Sequence, residues 1–287
     1  LRQAWVHRSG DYHQGNEWTK DKVIDSSLQT RFQATPILVE DTLFYCSPYN
    51  KVIALDPASG EEKWVFDPKI DPEGKGILHC RGVSSWVDDS MSQSATCRHR
   101  IVSTTIESEL LSIDAATGKL CEGFGASGRV NLRSGLGGHD HGLYYSTSPP
   151  AIIGDLIIVG GSVADNVSVD VPGGVVRAYD ARSGALVWYW DPIHPDQKPV
   201  LDVDGSQRYQ RGTTNVWSII SVDPELNQIY LPTGNTSPDN YGGHRNGSDY
   251  YSSSVVSLDA TTGKVLWHFQ TVHHDVWDYD VPSQPTF

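Results

Sequence analysis

Val52-Ile-Ala-Leu-Asp-Pro-Ala-Ser-Gly-Glu-Glu-Lys-Trp64 reads as one strand, a tight turn and the opening of a second strand, and the chain repeats this phrase. It returns as Leu111-Ser-Ile-Asp-Ala-Ala-Thr-Gly118, as Val176-Arg-Ala-Tyr-Asp-Ala-Arg-Ser-Gly-Ala-Leu-Val-Trp188 and as Val256-Ser-Leu-Asp-Ala-Thr-Thr-Gly-Lys-Val-Leu-Trp267. In each copy alternating apolar residues lead into Asp-x-x-Ser/Thr-Gly, and a second strand is expected to open four residues past the glycine with a large residue. The Asp carboxylate accepts hydrogen bonds from turn amides, and glycine supplies the positive φ that a tight hairpin demands. Asp56, Asp114, Asp180 and Asp259 therefore mark four hairpins. Tryptophan closes three copies (Trp64, Trp188, Trp267), whereas Glu122 holds that place in the second. A flat indole once per unit suits sheets stacked face to face, because each unit buries one face against its neighbour.

Upstream of each hairpin lies another apolar strand: Thr42-Leu-Phe-Tyr-Cys46, Arg100-Ile-Val-Ser-Thr104, Asp155-Leu-Ile-Ile-Val159 and Gln228-Ile-Tyr-Leu231. The four aspartates stand 58, 66 and 79 residues apart, which leaves each unit room for four short strands and an insertion. Four-stranded units at that period, with long loops and almost no helical periodicity, predict an all-β fold: a β-propeller with tryptophan-docking repeats. Propellers close into rings, and 287 residues hold four phrases. The expectation is one domain over residues 1–287, a partial propeller belonging to a larger wheel; a four-bladed ring is the alternative.

Composition narrows the function. A net charge of −13 would repel nucleic-acid phosphates. No apolar run is long enough to span a bilayer, so an anchor or signal peptide is expected outside these residues. Cys46, Cys80, Cys97 and Cys121 lack the paired spacing of a zinc site; disulfides in an oxidising compartment and buried thiols both remain open, and spacing does not give connectivity.

Loop residues carry the chemistry. His273-His-Asp-Val-Trp-Asp-Tyr-Asp280 packs ionisable and aromatic side chains into eight residues just past the fourth phrase. Gly160-Gly-Ser-Val-Ala-Asp-Asn166 and Pro232-Thr-Gly-Asn-Thr-Ser-Pro238 follow equivalent strands of the third and fourth units, so Asp165, Asn166 and Asn235 are expected to converge near Asp278. Such oxygen donors suit a hard cation such as Ca²⁺ or Mg²⁺, although Asp and Asn after a strand also serve as plain turn formers. Arg81, beside Cys80, suits a ligand carboxylate, and Trp217, closing Arg211-Gly-Thr-Thr-Asn-Val-Trp217, suits a flat ring. Together they point to a planar, anionic cofactor beside a divalent ion.

These residues resemble the pyrroloquinoline quinone (PQQ) dependent dehydrogenases. The resemblance rests on the Asp-x-x-Thr-Gly-x-x-x-Trp hairpins, Cys80-Arg-Gly-Val83, Thr147-Ser-Pro-Pro150, Gly161-Ser-Val-Ala-Asp-Asn166, Pro232-Thr-Gly-Asn235 and Thr271-Val-His-His-Asp-Val-Trp-Asp-Tyr-Asp-Val-Pro-Ser-Gln-Pro285. It runs from about Ala4 to Phe287 and is nearest to the membrane-bound glucose, quinate and polyol dehydrogenases of bacteria. It implies an eight-bladed wheel of which this chain supplies about four blades, an N-terminal membrane anchor beyond it, and a catalytic domain on the periplasmic face of the inner membrane that passes electrons to ubiquinone. By position, Asp278 would be the general base that takes the substrate hydroxyl proton while hydride passes to the quinone C5 carbon. Asp165 and Asn235, with Asn166 as helper, would hold the ion. Trp217 would stack on PQQ, and Arg81, Thr147 and Ser162 would contact it, with Thr214 and Asn215 beside the indole. Gln33, where relatives often carry Glu, would hydrogen-bond the cofactor without charge. Only Cys80 stands where the alcohol dehydrogenases have two adjacent cysteines, which favours the membrane-bound branch. Ile77, where glucose enzymes of that branch carry histidine, argues against glucose. The alternative function is a non-catalytic propeller scaffold of the outer-membrane-assembly type.

Overall fold

The computed structural model describes residues 2–12, 18–19, 22–23, 28–73, 75, 77–137, 142–164, 166–198, 200–201, 207–245 and 247–286. Nearly all its regular structure is strand; one helical turn, Gly242–His244, is the exception among the described residues. Four four-stranded sheets follow one another along the chain, and each takes its strands in sequence order as an up-and-down meander. The first comprises Ile37–Val39, Thr42–Cys46, Val52–Leu55 and Glu62–Phe66; the second Ser84–Val87, His99–Thr104, Glu109–Asp114 and Arg129–Asn131. The third comprises Ala151–Ile153, Leu156–Val159, Val176–Asp180 and Leu186–Trp190; the fourth Ser221–Asp223, Gln228–Pro232, Ser254–Asp259 and Val265–Gln270. Two compact units divide the chain, residues 1–130 and 131–287.

The hairpin phrase folds as its chemistry requires. Asp56 Oδ1 accepts from the backbone N–H of Ala58 and Ser59, and Asp180 Oδ1 from those of Arg182 and Ser183. Asp114 and Asp259 accept from Thr117 and Thr262 through both backbone and hydroxyl. In all four turns the glycine N–H returns to the Asp carbonyl at 2.8–2.9 Å, with glycine φ between 68° and 76°. These are Asx turns closed by a left-handed glycine.

Tryptophan docking then joins sheets within each unit. In the first unit the Trp64 indole N–H donates to Ala115 O at 3.0 Å, beside the turn glycine Gly118 of the second sheet. In the second unit Trp188 does the same to Ala260 O at 2.9 Å, beside Gly263 of the fourth. Trp5, which lies outside the phrases, docks in the same manner on Pro57 O at 3.1 Å beside Gly60. Buried side chains fill the space between the sheets: Phe44, Val52, Ile101, Leu111 and Ile113 in one unit, Ile158, Val176, Ile229, Leu231 and Val256 in the other.

The second phrase departs from expectation. No strand opens at Glu122, which is exposed; the chain turns through Cys121–Phe124 and its outer strand forms only at Arg129–Asn131. Two constraints account for the detour: Cys121 is tied to Cys97 by a disulfide, and Glu122 offers no indole to bury. A second disulfide joins Cys46 to Cys80. The alternative of four buried thiols is thereby excluded.

Candidate functional site

In the first unit, strand Gln29–Thr35 runs parallel to Ile77–Gly82, with Phe32 opposite Cys80 and Thr35 opposite Gly82. The register shifts between those pairs, so Gln33 sits at the irregularity, exposed, across from half-buried Arg81. Two of the expected cofactor contacts thus share one ribbon, anchored through Cys80 to the first sheet. Burial and then the Arg81 charge push the His79 imidazole down to about 4, which leaves it neutral beside the guanidinium.

The second unit holds the rest. Two short strands, Tyr144–Tyr145 and Ser162–Val163, pair so that Tyr145 faces Ser162. Thr147, two residues on, is buried, and the Ser146 hydroxyl donates to Gly160 O at 3.1 Å. Beneath lies Arg177, 1% exposed, whose guanidinium donates to Leu132 O, Ser134 O and the Tyr144 hydroxyl. The Tyr144 ring in turn lies against Gly161, where a Cβ would come within 2.4 Å of it. A buried cation held by carbonyls and tyrosines therefore fixes the loop that presents Ser162.

Trp217 and the fourth-sheet loops converge on the segment after His274. The Trp217 indole N–H donates to Asp280 Oδ2 at 2.7 Å, and Asn235 N–H donates to Asp280 Oδ1. Gly234 lies between them; a Cβ there would stand 3.0 Å from Asp280 Oδ1, 3.1 Å from Asn215 Oδ1 and 3.3 Å from Trp217 Cδ1. The buried Thr214 hydroxyl donates to Gly234 O, and Gly234 N–H to Asn215 O. The Asn235 side chain is buried; its amide donates to the carbonyls of Asp239 and Asp275, and its Oδ1 accepts from Thr236 N–H. Asn166, exposed and left-handed at φ 50°, turns its Oδ1 to Asn240 N–H at 3.4 Å. Asp165 lies outside the described residues.

Asp275 shapes the loop that carries Asp278. Fully buried, it accepts from Ser253 Oγ and from the backbone N–H of Trp277 and Tyr279. That winding leaves Asp278 exposed, at φ 63°, a conformation rare for a residue with a side chain. Partial desolvation and then the Asp275 charge raise the Asp278 carboxyl above the ordinary aspartate range. A carboxylate so placed holds a proton more readily than a free one, which is what a general base needs.

The residues fit a flat polar cofactor. Asn215 Oδ1 is buried without a hydrogen-bond partner, and Gly234 leaves its neighbourhood free of a Cβ. The donors expected for the ion are all oxygens, as a hard cation requires. Among the described residues no group of three or more His, Cys, Asp and Glu side chains is placed to hold a metal. Sequence reasoning missed Asp280 and Ser148, whose hydroxyl donates to Trp217 O at 2.6 Å. The only signal available for Asp280 was its place in the dense ionisable run of residues 273–280; Ser148 carried none.

Over residues 1–287 the chain matches the family of the PQQ glucose/ethanol/alcohol dehydrogenase β-propeller domain. It belongs to that family. The quinate/shikimate dehydrogenase (quinone) of Acinetobacter baylyi is 37% identical to this PQQ-domain chain over 303 residues, and the quinoprotein glucose dehydrogenase of Escherichia coli is 39% identical over 292. Each alignment takes in the whole of this chain and 36% and 35%, respectively, of the relative, so the chain spans about a third of their length. Among solved structures, the quinohemoprotein alcohol dehydrogenase from Comamonas testosteroni superposes with a TM-score of 0.67 at 26% identity, covering 88% of this chain and 37% of that one.

Proposed function

We propose that this chain is about four blades of an eight-bladed PQQ-dependent dehydrogenase that oxidises a hydroxyl of a sugar, polyol or cyclic hydroxy acid. The observation that carries the proposal is Asp278: exposed, left-handed and raised in pKa, on the segment that touches both Trp217 and the Asn235 loop. In this reading Asp278 takes the proton from the substrate hydroxyl. In the second unit Trp217 would lie against one face of the cofactor, with Thr214 and Asn215 at its edge and Thr147 and Ser162 hydrogen-bonding its oxygens; Arg81 and Gln33 would be the contacts that the family resemblance assigns to the first unit. Asp165, Asn166 and Asn235 hold Ca²⁺ or Mg²⁺. Bound PQQ supplies the hydride acceptor and the ion a Lewis acid on its carbonyl. A scaffold propeller has no use for a strained, exposed aspartate, nor for a buried amide oxygen left without a partner.

Electrons would pass to ubiquinone, with the domain at the periplasmic face of the bacterial inner membrane. Both disulfides support an oxidising compartment. No helix among the described residues is long and apolar enough to cross a membrane; on this reading the anchor would be a further segment of the full-length protein. The docking rule supports the expected wheel: Trp267, on the outer strand of the fourth sheet, is 45% exposed and would be covered by a turn glycine of a further blade.

The decisive experiment reconstitutes the full-length protein with PQQ and Ca²⁺ or Mg²⁺ and follows reduction of an artificial acceptor with glucose, quinate and glycerol. Turnover with one class is expected, and Asp278→Asn should lower it at least about 10³-fold while PQQ binding and the circular dichroism spectrum persist. No turnover with any of them, or full activity in D278N, would defeat the assignment.

A further inference from the structure

Asp280 stands apart from the roles assigned above, yet its carboxylate touches two of the residues that hold them. Its Oδ2 accepts the Trp217 indole N–H at 2.7 Å and its Oδ1 accepts the Asn235 backbone N–H. The two donors come from different places: Trp217 from the approach to the fourth sheet, Asn235 from the loop between that sheet's second and third strands. Two residues upstream on the same segment is Asp278. We infer that Asp280 is a positioning residue, whose two carboxylate oxygens lock the plane of the Trp217 indole to the Asn235 loop and so set cofactor face, ion loop and base at one spacing. This rests on the PQQ reading above and deepens it.

The physical case is one of rotational freedom. An indole pivots about χ2, which is broad for an aromatic ring, unless its single N–H is held. A hydrogen bond to an ionised acceptor is the stronger kind, and here one carboxylate serves two donors. Asp280 is itself restrained: Val281 N–H donates to Thr233 O, and the Ser218 and Ser221 hydroxyls donate to Pro282 O and Pro285 O. The backbone of Trp217 is held from the other side by Ser148. Gly234 completes the clamp, because a Cβ at that point would press on the carboxylate and the indole together. An asparagine at 280 has the same shape and only one acceptor oxygen, so one of the two donors must lose its partner.

The test titrates full-length apoprotein with PQQ in the presence of Ca²⁺ and reads binding by absorbance, independent of turnover. D280N is expected to weaken PQQ binding about tenfold or more, while the apoprotein stays folded by circular dichroism, its unfolding midpoint lowered by no more than the loss of one hydrogen bond would cause. Replacing Trp217 with β-(3-benzothienyl)alanine keeps a bicyclic ring and removes the N–H. That change should weaken binding in the parent and add little in D280N, since both remove one contact. Parent-like PQQ affinity in D280N, or two effects that multiply independently, would overturn the inference. If D280N fails to fold, the benzothienyl variant decides: parent-like affinity overturns the clamp, and a clear loss with the fold intact supports it. A parent protein that binds no PQQ would bring down the family-based reading itself, an outcome distinct from a D280N protein that binds as its parent does.

Discussion

Single side chains in this protein carry their charge in ways that set measurable pH behaviour. Asp191 is the clearest case: burial pushes its carboxyl up to about 6, against the partial relief of a hydrogen bond from Gln210 N–H, and its Oδ1 is buried without a partner. An unfolded chain titrates the same group near the ordinary ~3.9. Between about pH 4 and 6 the native state therefore holds more protons than the unfolded state, and the contribution of Asp191 to stability falls as pH rises. Asp191→Asn keeps an acceptor for Gln210 and removes the buried charge. It should stabilise the protein at pH 7.5 by about 1–3 kcal/mol and give little gain at pH 4, as read from urea unfolding at both pH values. An equal difference at both would mean that the effect is packing, not ionisation. Asp278 differs in being exposed: on the proposed reading its raised carboxyl would serve proton transfer, and its consequence is then sought in the rate.

At the scale of the element, the hairpin phrase performs two tasks with one glycine. Gly263 has φ 68°, and a Cβ there would stand 2.5 Å from Trp188 Cε3. Gly154 also has positive φ, at 54°, but a Cβ there meets nothing within 4 Å. The pair separates backbone strain from docking. Gly154→Ala is expected to cost about 1 kcal/mol, and Gly263→Ala about 2–4 kcal/mol because it also displaces the indole from its seat. Chemical denaturation of the two variants measures the difference; equal losses would mean that docking contributes nothing beyond the turn. The loops between second and third strands follow another logic. They bury polar groups in number, among them Thr233, Asn235, Thr236 and Asp239, and spend hydrogen bonds on holding irregular backbone in place. Site residues sit there because a rigid meander on either side fixes the loop ends.

Over the whole molecule, the docking chain of tryptophans is the organising device. Trp5, Trp64 and Trp188 each find a turn glycine and a carbonyl, whereas Trp267 lies on an outer strand whose neighbours Leu266 and Phe269 are 49% and 67% exposed. On the proposed eight-bladed arrangement Trp267 is buried by a following unit in the full-length protein. Trp267→Ala should then destabilise full-length protein by about 3–5 kcal/mol, the usual cost of emptying a buried indole site. A Trp267→Ala protein that unfolds like its parent would count against that arrangement.

Most of the architecture was legible in the amino-acid order because its determinants are local. An aspartate that accepts from amides two and three residues on, a glycine at the left-handed position and a strand on either side are decided within about ten residues, and four repetitions made a propeller blade the economical reading. Membership of the PQQ family was legible for a similar reason, since its motifs are short runs on loops at fixed places after strands. Tertiary structure alone decided the pairing of Cys46 with Cys80 and Cys97 with Cys121, the detour at Glu122, the docking of Trp5 and the grip of Asp280 on Trp217. Each joins residues from 24 to 63 positions apart, or turns on what such a contact displaces. Spacing along a chain says which residues are able to form a turn; only closure of the sheets says which side chains, remote in order, arrive within a hydrogen bond of one another.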